Sequence, residues 1–319
     1  MLTPGIKVTD SFAHTDRGLV RSENQDSVLL HFPGDEGALL EKGALAIVAD
    51  GVGGGSGGKT ASDMAVSSVR DCYYSSMGDT ASSLRGALVA ANGEIFAKAA
   101  GDPSLQGMAT TCTALVFIGG EGFLCHVGDS RAYLLRNGEL RQITEDHTLV
   151  ARLLSDGHIS AEAAANHPQK NIIMKALGSE RELAPDTYRI LFEPDDIVML
   201  CSDGLHGLVG VEEIAARLES LSPSEAGLSL VESAKARGGT DNISVVILKL
   251  SQVGGGGADT TKPYPVQRRE MGARRSHRDA LILAVVAALI LGGIFFYWVM
   301  HGLEKSVQPD LGDLIKVVK

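Results

Sequence analysis

Residues 47–64, IVADGVGGGSGGKTASDM, decide between two folds, because an apolar β-branched run is followed there by Asp-Gly and a glycine-rich turn. On one interpretation, residues 53–60 (GGGSGGKT) match the phosphate-binding loop G-x-x-x-x-G-K-[ST]. Lys59 would then bind nucleotide phosphates and Thr60 would bind Mg²⁺. On the other, the functional residue is Asp50, and the glycines make room around a metal-binding carboxylate. The first interpretation predicts a nucleotide-binding protein, and the second a metal-dependent hydrolase.

The setting of Asp50 recurs along the chain. An Asp beside a short apolar run, followed by a small, amide or hydroxyl residue, also occurs at Asp26, Asp129, Asp203 and Asp241. Such runs predict strands, and a carboxylate at a strand end is held on a rigid rim. Oxygen-only ligands select Mg²⁺ or Mn²⁺ rather than zinc. Two such ions, about 3.5–4 Å apart, activate a bridging water and hold a phosphoryl oxygen for attack.

Periodicity in the rest of the chain favours the second interpretation. Apolar spacing predicts helices over residues 59–77, 81–100 and 212–221, and Ser160 caps a short helix. The segment YLLRNGELRQI predicts a hairpin with Asn137-Gly138 as a type I′ turn. Hairpins indicate antiparallel sheets, whereas a nucleotide-binding fold has a parallel sheet.

Composition excludes some classes of function and location. Residues 1–250 carry 20 basic and 33 acidic residues, a net charge of −13, which repels nucleic acid. The four cysteines (Cys72, Cys112, Cys125, Cys201) form no C-x-x-C pair, as expected of reduced core residues in a cytoplasmic domain. The N-terminus lacks the basic-then-apolar pattern of a secretory signal.

The C-terminal part of the chain has a different character. Residues 251–279 begin with a glycine-rich run and end basic, which predicts a flexible linker. Residues 280–300, ALILAVVAALILGGIFFYWVM, contain no charge and are long enough to span a hydrocarbon core of about 30 Å. Arginines lie on their N-terminal side, so we expect the catalytic domain in the cytoplasm and a short extracytoplasmic tail over residues 301–319. The expected location is the cell membrane, with a single span.

Six segments together resemble the protein phosphatase 2C (PPM) family of metal-dependent Ser/Thr protein phosphatases, in its bacterial branch. They are residues 15–28 (TDRGLVRSENQDSV), 48–54 (VADGVGG), 107–116 (GMATTCTALV), 127–150 (VGDSRAYLLRNGELRQITEDHTLV), 201–205 (CSDGL) and 238–247 (GGTDNISVVI). The resemblance implies an α+β fold over residues 1–250. Two antiparallel sheets would be flanked by helices in a four-layer α-β-β-α sandwich, with two Mn²⁺ or Mg²⁺ ions at one edge and a third, weaker one.

The resemblance also implies roles for particular residues. Asp50 bridges both metals and the Gly51 carbonyl joins one of them. Asp203 and Asp241 hold the other, and Asp129 helps with the third ion. Arg21 clamps the substrate phosphate and Asp26 acts near the metal waters.

The chain departs from the family pattern at several positions. Family members often carry Glu or Gln at position 25, and the neutral Gln25 reduces the charge there. Lys59 stands where Glu is usual. Val52 replaces a His of eukaryotic members, so no general acid is identified; His14, His126 and His147 are candidates. Residues 151–190 are expected to form a variable flap beside the site, with Asn171 as a weak metal candidate.

The sequence therefore predicts a membrane-tethered phosphoserine/phosphothreonine phosphatase in which a water bridged by two metals attacks phosphorus. Its expected partners are phosphorylated proteins, including a membrane Ser/Thr kinase, and membrane lipid, but not nucleic acid. Two alternatives remain: an NTPase using residues 53–60, and an inert phosphopeptide-binding pseudophosphatase, which would have lost metal ligands.

Overall fold

The strands form two antiparallel sheets in a computed structural model that describes residues 5–53, 57–165, 167–252 and 267–268. The first sheet has the order β1 (Ile6–Asp16), β12 (Ile243–Gln252), β11 (Ile197–Cys201), β8 (Arg131–Arg136) and β9 (Glu139–Gln142). The second has the order β13 (Gln267–Arg268), β10 (Asp186–Leu191), β7 (Glu121–Val127), β6 (Cys112–Ile118), β3 (Ala44–Ala49) and β2 (Ser27–His31). The short strands β4 (Gly51–Val52) and β5 (Ala109–Thr110) pair separately.

Alternating side chains divide the apolar residues into three cores. On β3, Ala46 and Val48 pack between the two sheets, whereas Leu45 and Ile47 face the helices outside the second sheet. The outer face of the first sheet packs on a third cluster that includes Met199 of β11. The layers are therefore helix, sheet, sheet and helix, which confirms the predicted α+β sandwich.

The described α-helices are α1 (Glu36–Lys42), α2 (Gly57–Ser75), α3 (Thr80–Gly101), α4 (Leu149–Ser155), α5 (Ala161–Ala165), α6 (Asp203–His206), α7 (Val211–Ser220) and α8 (Pro223–Ala236). The outer face of the second sheet is covered by α2 and α3, and that of the first by α7 and α8. A short 3₁₀ helix covers Pro103–Leu105. Helix α8 is not among the predicted helices, although Ser222 and Glu225 form a capping box at its start.

Several local predictions are confirmed. Asn137 and Gly138 have positive φ angles of 51° and 78°, as a type I′ turn requires, and join β8 to β9. The backbone N–H of Ala163 donates to the Ser160 hydroxyl, which caps α5 as expected. The flap prediction is wrong at its end, because residues 186–190 belong to β10 within the second sheet.

The phosphate-loop interpretation is wrong for this fold. The strand before the glycine-rich turn, β3, has antiparallel neighbours on both sides, β2 and β6. The Lys59 ammonium is bound to Asp63 at 2.8 Å, to the Ser27 hydroxyl at 3.0 Å and to the Asp26 carbonyl at 3.2 Å. The lysine therefore holds α2 against the start of β2. Of the predicted phosphate loop over residues 53–60, residues 54–56 lie outside the described residues.

The membrane prediction concerns residues 280–300, which lie outside the described residues, as does the tail over 301–319. Within the described part of the chain, none of the helices has both the length and the apolar composition needed to cross a bilayer. Two parts of the predicted linker are described: residues 251–252 belong to the end of β12, and residues 267–268 form β13, which pairs with Tyr188 and Arg189 of β10.

Candidate metal centre

Four of the five predicted carboxylates line one cavity of about 200 Å³. Asp50 follows β3 and Asp203 follows β11, while Asp241 lies just before β12. Asp129 follows β7 and completes the set, and Arg21 and Gly51 line the same cavity. The antiparallel sheets thus gather at one edge side chains that are far apart in sequence.

The grouped carboxylates repel one another. Burial, together with the charges of Asp26, Asp203 and Asp129, raises the pKa of Asp50 well above its ordinary value. Burial and the charge of Asp241 also raise the pKa of Asp203, although a hydrogen bond with the Asp50 carboxyl opposes this. Burial and the charge of Asp203 raise the pKa of Asp129 to about 7. Such a cluster is electrostatically favourable only when cations compensate it.

Unsatisfied oxygens show that the side chains suit a cation. Buried Oδ1 atoms of Asp26, Asp129 and Asp203 have no hydrogen-bond partner within the described part of the chain. Among the described residues, no group of three or more His, Cys, Asp or Glu side chains is arranged closely enough to hold a metal ion. A buried carboxylate oxygen without a donor is costly in a protein but is a preferred ligand of Mg²⁺ or Mn²⁺. The donor set, all oxygen, therefore fits these ions.

Asp26 lies behind the cavity wall and is held by two serines. Its Oδ2 accepts hydrogen bonds from the hydroxyls of Ser202 at 2.7 Å and Ser244 at 2.6 Å. Burial raises the pKa of Asp26 to about 6, which the two serine hydrogen bonds oppose and the charges of Asp203 and Asp241 reinforce. Asp26 is thus coupled to the cavity carboxylates without lining the cavity itself.

Arg21 reaches the cavity from the loop before β2. Its guanidinium contacts Asp241 at 2.7 Å and is 53% exposed, so it remains accessible from solvent. That hydrogen bond, with the charge of Asp241, raises the pKa of Arg21. The planar donor fork of an arginine at the mouth of an anionic cavity is suited to a phosphate held there.

Small residues make the cavity possible. A Cβ atom on Gly51 would overlap the Gly58 carbonyl, and one on Gly204 would overlap the Asn242 carbonyl. The glycines of the Asp-Gly pairs therefore let neighbouring backbone approach the carboxylates closely. This explains why glycine follows both Asp50 and Asp203.

Three residues that support the cavity were not predicted from the sequence. Asn242 accepts a hydrogen bond from the Gln25 N–H at 2.8 Å and donates to the carbonyls of Arg17 and Glu23, so it anchors the loop that carries Arg21. Ser202 and Ser244 hold Asp26. Their only signal is position, because all three residues adjoin a predicted strand end in the Asp203 or Asp241 segment.

The histidine candidates do not reach the cavity. His126 is fully buried, and burial lowers its pKa to about 3; it contacts the Thr113 hydroxyl and the Glu145 carbonyl. His147 accepts a hydrogen bond from the Gly128 N–H. His14 stacks on Phe12 in β1. Asn171, by contrast, does line the cavity, together with Gln25.

Comparisons with known proteins agree with this geometry. A sequence profile described as Protein phosphatase 2C matches residues 14–235. The chain is 38% identical over 251 residues to the serine/threonine phosphatase stp of Listeria monocytogenes, covering 75% of this chain and 96% of that protein.

The crystal structure of the Mycobacterium tuberculosis serine/threonine phosphatase PstP/Ppp is similar with a TM-score of 0.69 and 38% identity, covering 78% of this chain and all of that one. A crystal structure of the PstP catalytic domain in complex with two manganese ions is similar with a TM-score of 0.67 and 36% identity, again covering 78% of this chain and all of that one.

Proposed function

The chain belongs to the protein phosphatase 2C family and is a serine/threonine phosphatase, and on this premise we propose that the carboxylate cavity is its catalytic centre. The observation that carries the proposal is the convergence of Asp50, Asp129, Asp203 and Asp241 on one cavity with Arg21 at its mouth. Orphaned buried oxygens on Asp129 and Asp203 support cation binding there.

The oxygen atoms that line the cavity are suited to bind two divalent cations. Asp50, the Gly51 carbonyl, Asp203 and Asp241 would hold these two ions, and Asp129 would help to hold a third and weaker ion. The manganese-bound PstP catalytic domain, which has a similar fold, supports Mn²⁺ as one suitable metal.

Two such ions, when bound, would lower the pKa of a nucleophilic water and neutralise charge on the transferred phosphoryl group. Arg21 binds the phosphate oxygens, exchanging its contact with Asp241 for the substrate. Asp26, whose Oδ2 is held by the Ser202 and Ser244 hydroxyls, would act near the metal waters through its buried Oδ1. We expect direct hydrolysis because none of the four cysteines lines the carboxylate cavity. Burial also raises the pKa of Cys112 and Cys201 to about 12, so neither thiol is nucleophilic.

The location and partners follow from the sequence. The uncharged run over residues 280–300 anchors the chain in the cell membrane, and the basic residues before it keep the phosphatase domain in the cytoplasm. Tethering raises the effective concentration of the enzyme near membrane-bound phosphoproteins, including a Ser/Thr kinase. Deleting residues 280–300 should move the protein from the membrane fraction to the soluble fraction; unchanged fractionation would contradict the anchor.

The activity test compares the full chain with Asp50→Asn and Lys59→Ala variants, with and without Mn²⁺. We expect Mn²⁺-dependent phosphate release from a phosphothreonine peptide, lost in Asp50→Asn and retained in Lys59→Ala. Asp71→Asn, which changes an exposed carboxylate on α2, is the matched control and should be unaffected. ATP hydrolysis that depends on Lys59 would instead support the phosphate loop, and phosphopeptide binding without turnover would support a pseudophosphatase.

A further inference from the structure

A second and larger cavity, of about 1020 Å³, adjoins the catalytic cavity. Its walls come from β8 and β9, from α4 with the loop before it, and from residues 174–186. Its volume is at the upper end of the range for ligand-binding cavities in proteins, roughly 300–1,000 Å³. Neither the metal ligands nor Arg21 belong to its lining, so the catalytic mechanism does not account for it.

The two cavities share a wall. Ile173 lines the catalytic cavity and the next residue, Met174, lines the larger one. Likewise, Asp129 lines the catalytic cavity, and Arg131, two residues later, lines the larger one. Because consecutive Cα atoms are about 3.8 Å apart, a polypeptide with its phosphorylated residue in the catalytic cavity reaches the larger one within a few residues.

The larger cavity lies on one side of the catalytic cavity only. It adjoins the Asp129 wall, where its lining residue His147 accepts a hydrogen bond from the Gly128 N–H at 3.0 Å. None of its described lining residues comes from the Arg21 loop or from β12, which form the opposite wall. Only one of the two chain directions leading away from a bound phosphoresidue enters it.

The lining of the larger cavity is acidic. Its carboxylates are Glu145, Asp146, Asp156, Glu180, Glu182 and Asp186, and its cations are Arg131, Arg152 and Lys175. Each cation is already paired with a carboxylate of the same cavity: Arg131 with Asp146, Arg152 with Asp156 and Lys175 with Asp186. With His147 neutral, the lining carries a net charge of −3, and the exposed Glu180 and Glu182 contribute to the excess.

Apolar side chains lie among these charges. They are Ala151, Leu154, Met174, Leu183 and Ala184. Lysine and arginine side chains bury their aliphatic stems on apolar surface while their charged ends reach carboxylates. A cavity that combines the two is complementary to a basic peptide.

We propose that this cavity is the docking groove for substrate residues on one side of the phosphorylated serine or threonine, and that it selects lysine and arginine there. The proposal rests on the proposed phosphatase function and names its substrate class, phosphoproteins with basic residues flanking the phosphosite on that one side.

The test uses the full chain with Mn²⁺ and three phosphothreonine peptides, carrying three lysines N-terminal to the phosphoresidue, three lysines C-terminal to it, or alanines throughout. We expect one lysine peptide, and not the other, to have a higher kcat/KM than the alanine peptide. Glu180→Gln/Glu182→Gln should reduce that advantage roughly five- to tenfold, since two exposed ion pairs are lost. Turnover of para-nitrophenyl phosphate, which has no flanking residues, should not change.

The matched control is Glu36→Gln/Glu41→Gln, which makes the same charge change on α1, at the opposite end of β3 from Asp50. It should leave all three peptides unaffected. Equal kcat/KM for the three peptides, or an equal gain for both lysine peptides, would overturn the groove. Absence of para-nitrophenyl phosphate turnover would instead contradict the phosphatase function. In that case fluorescence anisotropy with the lysine peptides still tests the groove, because the Glu180/Glu182 variant must bind the favoured one more weakly.

Discussion

The Ser244 hydroxyl donates a 2.6 Å hydrogen bond to Oδ2 of Asp26, although 218 residues separate the two in the chain. Ser202 donates to the same oxygen from the end of β11. Both bonds favour the ionised carboxylate, while burial raises its pKa to about 6. Two strands of one sheet therefore fix the orientation of an acid that enters from the other sheet.

Ser244→Ala should lower the free energy of unfolding by about 2 kcal/mol at pH 7, because it removes a hydrogen bond to a buried charged group. Urea denaturation measures the change. Ser251→Ala, at the far end of the same strand, removes a hydroxyl from an exposed hydrogen bond and is the control. Equal losses in the two variants would show that the Asp26 contact has no special stabilising role.

Asp203→Asn should have opposite effects on stability with and without metal. In EDTA the melting temperature should rise, because burial and the charge of Asp241 make the ionised Asp203 unfavourable. With Mn²⁺, calorimetry should show at least about tenfold weaker binding, and the stabilisation by metal should shrink. Asp71→Asn on the surface should change neither quantity, and a lower melting temperature in EDTA for Asp203→Asn would contradict the repulsion.

The strands and their terminal acids could be predicted because their signals are local. An apolar β-branched run followed by Asp-Gly specifies a strand, a turn and a rim carboxylate within eight residues, as at Asp50 and Asp203. Their convergence is not local: β12 lies between β1 and β11, and this order depends on the pairing of residues 6–16 with residues 243–252. The resemblance to a known family supplied that information.

Other features gave no readable signal. Ser202, Asn242 and Ser244 act through partners more than 40 residues away, so their sequence neighbours do not reveal their roles. The larger cavity is lined by residues from two separate segments, 131–156 and 174–186, so neither segment alone reveals it. The Lys59 match to a phosphate loop misled for a related reason, since its Asp26 and Ser27 partners lie in another strand segment.

His126 should make the protein sensitive to acid. Burial and the neighbouring His147 lower its pKa to about 3, while Asp146 and Asp186 only partly oppose this. The unfolded state therefore binds a proton below about pH 6.5 that the folded state binds only near pH 3, so stability is lost as pH falls through this window. The loss amounts to about 2 kcal/mol by pH 5.

His126→Gln, which keeps a polar group facing Thr113 and the Glu145 carbonyl, should lose less stability between pH 7 and pH 5 than the unchanged protein. Urea denaturation at the two pH values measures this difference. His158→Gln alters an exposed histidine and should behave as the unchanged protein does. A parallel acid response in the His126 variant would exclude this residue as the source.

Comparing Gly18→Ala with Gly157→Ala distinguishes the effect of backbone strain from the effect of steric overlap near the catalytic centre. Their φ angles are nearly equal, +74° and +73°, so alanine at either position costs about 1 kcal/mol of strain. At Gly157 a Cβ atom meets no heavy atom within 4 Å, whereas at Gly18 it would overlap the Asp241 carbonyl and lie 2.8 Å from the Gly239 carbonyl. Gly18→Ala must therefore displace the segment that presents Asp241.

We expect Gly157→Ala to lower only the stability of the protein. Gly18→Ala should also reduce Mn²⁺-dependent kcat/KM by roughly tenfold or more, since small displacements of a metal ligand are costly. Equal kinetics for the two variants would mean that the Gly18 contact does not position Asp241 for its role.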